Sequence, residues 1–341
     1  MEPIISIIIG FAVLFVLSAI AWPKKGLIAI WKRYVWNAKR VQIEDALKLF
    51  YQLEEDQNIS SVKKVEEALA LSSVKANELI NNLENRGLIK SIGEKIELTA
   101  EGRIYSLQVI RNHRLWEKFL ADETGVKEVD WHTEAEHAEH NLSPAQADEL
   151  AAKIGNPLID PHGDPIPTSN GKMPERRGNP ISELNENEYA EIVHLEDEPI
   201  EVYEQLVEKG IYPGMHLQLK NISERYIQFE ANGKDFEIKS EIGNNITVAA
   251  ISPHTKIIRD FRSLSTLKVG ESGKVLGISS AVRGKQRRRL LDFGIVPGTT
   301  ITPRLVSFSG DPVAYNIRGT SIALRKEQAE MIFIEESEKE Q

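Results

Sequence analysis

SSVKANELINNLENRGLIKSIGEKIELT, residues 72–99, decides how the rest of the chain is read. Its first half has a helical pattern, with Ser72 or Ser73 as N-cap and Gly87 as stop. Its second half is two short alternating runs about Gly93 and Glu94, which predicts a hairpin. Immediately upstream, IEDALKLFYQLEE is helical. SVKKVEEALA is a second helix that opens at Ser60 or Ser61, and only a tight turn separates it from the third. Helix, helix–turn–helix, hairpin is the pattern of a winged helix, here over residues 43–103. A generic small helical domain would lack the hairpin placed directly after the third helix.

Downstream, residues 104–154 stay helical and contain WHTEAEHAEH, residues 131–140. At about 100° per residue, His132, Glu136, Glu139 and His140 share an arc of roughly 100°, while Glu134 and His137 point elsewhere. Such a stripe of imidazole and carboxylate donors suits a hard or borderline divalent cation. A solvated face of i,i+4 pairs is the competing reading. Residues 155–180 hold six prolines and four glycines, which suits an ordered crossing or a linker. Residues 104–178 thus read as a helical domain with a Pro/Gly-rich end. Beyond them the periodicity is that of strands. LVEKGIYPGMHLQL (206–219) repeats as LLDFGIVPGTTITP (290–303), 84 residues on. Two copies of a small β-barrel are expected, over 179–258 and 259–341. The fold class is α+β and multidomain.

The chain of 341 residues has no cysteine, so disulfides and thiolate ligands are excluded. Net charge is −9, with +5 on residues 1–43 and −14 on the rest. Residues 4–22, IISIIIGFAVLFVLSAIAW, are uncharged and long enough at about 1.5 Å per residue to cross a bilayer. Basic residues follow that run and none precedes it, which argues against a cleaved signal. A single-pass anchor over 1–23 is expected, followed by a basic juxtamembrane helix over 24–42. The C-terminal domains would lie on the cytoplasmic side of a bacterial cytoplasmic membrane. There is no H-E-x-x-H, no Walker A loop and no G-x-S-x-G, so no enzyme is expected.

Four stretches resemble the diphtheria-toxin-repressor and manganese-regulator family: IEDALKLFYQLEED, HRLWEKFL (113–120), WHTEAEHAEHNLS and GNPLIDPHGDPIP (155–167). VGESGKVLGI, RRLLDFGIVPGT and SIALRKEQAEMIFI resemble FeoA-type SH3-like domains, with a weaker first copy. The family resemblance implies a homodimer with a primary metal set of Asp45, Glu136, Glu139 and His140. It implies a second set of His113, Glu117 and His132, two sites per subunit. His113 and Glu117 stand one helical turn apart, as a shared ion requires. Carboxylates at Asp45 and Glu136 follow manganese-type members, but Lys48 and His132 do not, so Mn²⁺ and Fe²⁺ both stay open.

The resemblance also implies a palindromic double-stranded DNA operator. Ser72, Ser73, Lys75, Asn77 and Glu78 would face the major groove, with Lys63, Lys64, Lys90 and Lys95 toward phosphates. A winged helix reduced to a packing module is the alternative. RGKQRRR (283–289) places Arg283, Lys285, Arg287, Arg288 and Arg289 on one surface, either a solvated helix start or a face for phosphate, anionic lipid or an acidic partner. The expected function is a membrane-tethered, metal-dependent repressor of metal-uptake genes. A membrane-bound accessory protein of a ferrous-iron transporter is the runner-up.

Overall fold

The computed structural model describes residues 27–93, 95–251 and 262–336. The chain divides into two compact units. One runs up to Ile110 and includes Ser169–Lys172; the other holds Arg111–Thr168 and the residues from Met173 onward.

In the first unit, helix α1 (Leu27–Glu55) buries Ile43, Ala46, Leu47, Phe50 and Leu53, one stripe at helical spacing. Full burial of a side chain such as Phe50 stabilises by about 1.5–3 kcal/mol. Helix α2 (Val62–Ala68) opens under Ser61, whose hydroxyl accepts from the Lys64 N–H. Helix α3 (Ser73–Asn85) begins after Ser72, packs Ala76, Leu79, Ile80 and Leu83 inward, and stops before Gly87 at φ +69°. Strands β1 (Ile89–Ile92) and β2 (Lys95–Leu98) pair antiparallel, from Ile89 opposite Leu98 to Ile92 opposite Lys95. The helix–turn–helix and wing read from residues 72–99 are therefore present.

Thr99 joins the wing to helix α4 (Ala100–Glu123). Its N–H donates to Leu88 O at 3.0 Å, and its hydroxyl accepts from the Gly102 N–H at 3.0 Å. Glu54 at the end of α1 accepts from the Leu98 N–H at 3.0 Å and pairs with Arg103 on α4. The buried Ser106 hydroxyl donates to Leu47 O at 2.9 Å.

The anchor expected over residues 4–22 lies outside the described residues. Among the described residues no helix is long and apolar enough to cross a membrane. Of the helix expected to lie along a membrane over 24–42, the described part, from Leu27, belongs to α1, which runs unbroken to Glu55. From Ile43 onward its apolar stripe is covered by the winged-helix core rather than by lipid. These findings run against the expected localisation at a bacterial cytoplasmic membrane.

In the second unit, α4 ends and is followed by α5 (Trp131–Glu139) and α6 (Pro144–Lys153). A reciprocal capping box between Ser143 and Gln146 starts α6, whose Ala147 and Ala151 pack on Leu115 and Ile166. The Pro/Gly-rich stretch is ordered. Asp160 Oδ1 accepts the backbone N–H groups of His162, Gly163 and Asp164, each at 2.9 Å. Arg114 donates to Pro165 O at 2.7 Å and pairs with Asp164 at 3.2 Å.

Two six-stranded antiparallel sheets follow. The first holds β3 (Asn179–Pro180), β4 (Tyr189–Leu195), β5 (His216–Ile222), β6 (Tyr226–Ala231), β7 (Lys234–Lys239) and β8 (Ile246–Ala250), with α7 (Ile200–Glu208) after β4. The second holds β9 (Arg262–Ser263), β10 (Gly273–Ile278), β11 (Thr300–Val306), β12 (Val313–Ile317), β13 (Thr320–Leu324) and β14 (Ile332–Glu336). Helix α8 (Gly284–Asp292) follows β10, and α9 (Lys326–Glu330) precedes β14. Spatial orders β3-β8-β4-β5-β6-β7 and β9-β14-β10-β11-β12-β13 are one topology. The copies share bulges: β5 shifts against β6 at Leu219/Asn221, and β11 against β12 at Pro303/Leu305. The repeat seen in sequence thus corresponds to a repeated sheet topology. Gly163, at φ +102°, lies so close to β4 that a Cβ there would sit 1.9 Å from Val193 O.

At the wing joint, a Cβ on Gly102 would sit 1.9 Å from Leu88 O. Gly102→Ala is therefore expected to destabilise the chain by about 1–3 kcal/mol despite alanine's better helix propensity. A lowered urea midpoint at constant m-value checks it; an unchanged or raised midpoint rejects the close approach.

Candidate metal centre

The second half of α4 carries His113 and Glu117 one turn apart, both buried. Helix α5 carries His132, Glu136 and Glu139, with His140 at its C-cap. His113 faces two carboxylates: Nε2 lies 3.0 Å from Glu117 Oε1, and Nδ1 lies 2.5 Å from Glu139 Oε2. His132 Nδ1 is 3.4 Å from the same Glu117 oxygen, and its ring stands edge-on to His113 at 4.8 Å. Donor atoms of His113, Glu117 and His132 all lie within 4.8 Å of one another. The second set expected from sequence is therefore one cluster.

Two residues join it that the sequence reading did not assign. His162, from the Pro/Gly-rich stretch, puts Nε2 3.6 Å from Glu117 Oε1 and 3.9 Å from Asp197 Oδ2. Asp197, in the connection from β4 to α7, comes within 2.8 Å of His132 Nδ1. Glu117, His162 and Asp197 form a second triad of donors within 4.8 Å, and the two triads share Glu117. Glu198 and Glu136 flank His132 Nε2 at 3.6 and 3.5 Å. His162 lay inside the quoted stretch PHGDPIP, but nothing in its spacing ties it to Glu117, 45 positions earlier. Asp197 lies 80 positions from Glu117 and reaches it only through the packing of the first sheet domain.

The electrostatics are those of crowded buried charges. Burial opposes ionisation of Glu117, only 1% exposed, yet His113, His132 and His162 hold its carboxyl well below the usual range. Burial likewise opposes charge on His132, but Asp197, Glu117 and Glu136 push its imidazole up to about 12. His162 rises to about 9 against its burial, through Glu117, Asp160 and Asp197. Asp197 is lowered despite burial by His132 and His162. Burial, with the Asp164 and Glu117 charges, pushes Asp160 up to about 7. Neither ring nitrogen of His162 makes a hydrogen bond of good geometry, although the ring is buried. Orphaned buried imidazole nitrogens facing two carboxylates fit a divalent cation. The donors are nitrogen and oxygen only.

Of the primary set, Glu136, Glu139 and His140 lie in the second unit. Glu139 is buried and lies 3.6 Å from the His140 ring as well as against His113. Glu136 is exposed and turns to His132. Asp45 is half-buried on α1, in the other compact unit.

Ser72, Ser73, Lys75, Asn77 and Glu78 are all exposed on α3, as is Val74. The Asn77 amide donates to Ser73 O at 2.8 Å, so part of its capacity is spent on its own helix. Lys63 pairs with Glu67 at 3.6 Å, and Lys64 is exposed. Lys90 and Lys95 both reach Glu97 at 3.0 Å.

The basic run is split: Arg283 and Arg287 are half-buried, while Lys285, Arg288 and Arg289 are exposed. Arg287 donates to the carbonyls of Ile278, Ser279 and Val282, and Arg288 pairs with Glu123 at 2.8 Å. Arg289 lies over the Phe293 ring, Arg283 donates to Pro161 O, and Lys285 is exposed.

Residues 99–168 match the metal binding and dimerisation domain of iron dependent repressors, and residues 262–336 match the FeoA domain. The iron-dependent repressor IdeR of Mycobacterium tuberculosis is 33% identical over 122 residues, covering 36% of this chain and 53% of that protein. The chain spans about half the length of these curated relatives. The diphtheria toxin repressor of Corynebacterium glutamicum is 26% identical over 216 residues, covering 60% of this chain and 94% of that protein. A solved manganese-dependent transcriptional repressor in complex with manganese is 28% identical with TM-score 0.57, covering 61% of this chain and 99% of its own. These relatives are repressors by name, not enzymes, and they lend nothing to the membrane placement, the lipid contact or the ferrous-iron transporter expected as partners. The matched domains, the neighbouring fold and the buried donor cluster together liken this chain to the diphtheria-toxin-repressor and manganese-regulator family, with a match to the FeoA domain over residues 262–336.

Proposed function

We propose that the protein is a metal-dependent DNA-binding transcriptional repressor that works as a homodimer and answers to Mn²⁺ or Fe²⁺. The observation that carries this is the buried cluster around Glu117, placed on the helix that starts at the wing. Helix α4 is continuous from Ala100, beside Thr99 and the wing, to Glu123, past the donors. Whatever fixes its second half is bonded to the element that caps the wing.

His113, Glu117, His132, His162 and Asp197 would hold the cation, with Glu139 orienting His113 from its far nitrogen. The bound cation would supply positive charge against Glu117 and Asp197 without needing protonated imidazoles. The five donors come from α4, α5, the Pro/Gly-rich stretch and the first sheet domain. Holding them at ligand distance draws four segments to one point, and the segments lose freedom together. An ion at a hundredfold excess over Kd stabilises the ordered arrangement by about 2.7 kcal/mol, enough for roughly a hundredfold in occupancy. Nitrogen and carboxylate donors without sulfur suit Mn²⁺, and Fe²⁺ is accommodated by the same set.

On the DNA side, the exposed edge of α3 with Ser72, Ser73, Lys75, Asn77 and Glu78 is the reading face. The free Oδ1 of Asn77 and the Glu78 carboxylate accept from base edges, while Ser72, Ser73, Lys75 and Lys64 contact phosphates.

Glu117→Gln is expected to abolish high-affinity Mn²⁺ binding in calorimetry and the metal-dependent gel shift with it, whereas His162→Ala and Asp197→Ala weaken Mn²⁺ by about 10–100-fold. Wild-type affinity in all three variants rejects the centre.

Because His132 and His162 carry protons when the centre holds no metal, Mn²⁺ binding should release protons, and affinity should fall as pH falls. Calorimetry in two buffers of different ionisation enthalpy checks this; identical apparent enthalpies count against it.

Lys75→Ala should weaken every duplex alike, by about one unit in the salt slope. An unchanged slope removes Lys75 from the interface.

A further inference from the structure

The second sheet domain is packed against the metal centre without offering it a ligand. Its entry to α8 is what makes the contact. Arg283, at the N-cap of α8, donates through Nη2 to Pro161 O at 2.8 Å, and its guanidinium lies 5.7 Å from the centroid of the Trp131 ring. Trp131 immediately precedes His132, and Pro161 immediately precedes His162. The Trp131 and His162 rings themselves stand edge-on at 6.1 Å. One arginine thus holds the two backbone segments that carry two of the five donors.

The approach is built for close contact. Gly284, at φ +53°, lies where a Cβ would be 2.9 Å from Ala121 O in the last turn of α4 and 2.6 Å from Thr124 O just beyond it. The positive end of the α8 dipole therefore meets the negative end of the helix that carries His113 and Glu117. Arg288 adds an ion pair to Glu123 at 2.8 Å. Ser280 donates to Pro213 O at 2.9 Å and Lys234 pairs with Glu330 at 3.1 Å, so the second sheet domain also holds the first, which carries Asp197.

The duplication makes the placement intelligible. In each copy, the segment that enters the helix after the first long strand is turned to the α4–α5 module. In the first copy that segment brings Asp197 to His132. In the second it brings Arg283 to the neighbouring Trp131. The two copies use one topological position with opposite charge: acid toward imidazoles, cation toward an indole face and a carbonyl.

We propose that Arg283 is a positioning residue of the metal centre, through which the second sheet domain fixes the Trp131–His132 and Pro161–His162 segments at ligand distance. The claim rests on the metal reading above. It predicts that loss of Arg283 loosens both segments already in the metal-free protein and lowers metal affinity without removing a ligand.

The full chain is compared as wild type, Arg283→Ala, Arg283→Lys, Lys285→Ala and Glu117→Gln, with Mn²⁺ alone as the probe. Arg283→Ala should weaken Mn²⁺ by about tenfold, in the range seen when groups that orient ligands are removed. Arg283→Lys, which keeps a carbonyl donor and the charge but not the planar guanidinium, should recover part of that loss. Lys285→Ala, the same charge change on the exposed side of α8, should stay within about twofold, since distant exposed charges are screened. In the metal-free protein, hydrogen exchange at 131–133 and 160–164 should quicken in Arg283→Ala and not in Lys285→Ala, and the Trp131 contribution to fluorescence should change. If Glu117→Gln loses Mn²⁺ while Arg283→Ala and Arg283→Lys bind it like wild type with unchanged exchange, the positioning role is overturned and the metal reading stands. If Glu117→Gln binds Mn²⁺ like wild type, the metal reading is overturned and the positioning role with it.

Discussion

An ionised carboxylate buried in the second unit sets the terms for everything around it. Glu117 is almost wholly removed from water, and an uncompensated charge there costs several kcal/mol or more. Three imidazoles converge on it, from α4 itself, from α5 and from the Pro/Gly-rich stretch. Those imidazoles then need partners of their own, which Glu139, Asp197, Glu136 and Glu198 provide. These carboxylates come from α5 and from the connection between β4 and α7, so one buried charge dictates where α5, the Pro/Gly-rich stretch and the first sheet domain stand. Without a cation, protons on the histidines balance that charge. A cation in their place would balance it with fixed coordination geometry rather than with hydrogen bonds, several of which are long in this structure.

The ordering of the Pro/Gly-rich stretch follows from the same need. A loop with six prolines has few N–H groups to satisfy, and three of those it has are given to Asp160 Oδ1. Arg114, one residue after His113, binds the far side of this loop through Pro165 O and Asp164. Asp164 in turn is held below the usual carboxylate range, against its burial, by Arg114, His194 and Arg176. The loop is thereby pinned between α4 and β4, and Gly163 permits the backbone approach that no side chain would allow. His162 sits where it does because its neighbours on both sides are fixed.

What could be read from sequence was what short-range physics encodes. Ser61, Ser72, Gly87 and Gly93 mark the ends of the winged-helix elements through capping and positive φ, and the structure places them there. The duplicated domains were legible because each copy repeats its own turn and strand, and the shared bulges show how far the likeness extends. His113 with Glu117, and His132 with Glu136, were legible as i,i+4 pairs. His162 and Asp197 were not, since their tie to Glu117 spans 45 and 80 positions and exists only in the packing. The partners of the basic run were not legible for the same reason: Arg283, Arg287 and Arg288 answer Pro161 O, local carbonyls and Glu123, none of which a charge pattern reveals. The membrane placement came from an uncharged run with basic residues after it, and that run lies outside the described residues.

The wing bears on how such a protein would gain its affinity for DNA. Lys90 and Lys95 are both drawn to Glu97, whose carboxyl their ammonium groups hold below its usual range. Lys63 is occupied by Glu67, and the chain carries a net charge of −9. Sequence-independent attraction to phosphate scales with the number of cations that can replace counterions, and three lysines of the described winged helix, Lys63, Lys90 and Lys95, are already paired. A weak background attraction leaves binding dependent on both reading helices of a dimer engaging at once. The free energy for that must come from fixing their spacing, because scattered charge does not supply it. A regulator with this surface gains specificity from order, and a cluster that collects donors from four segments is the place in this chain where a small ligand can impose order.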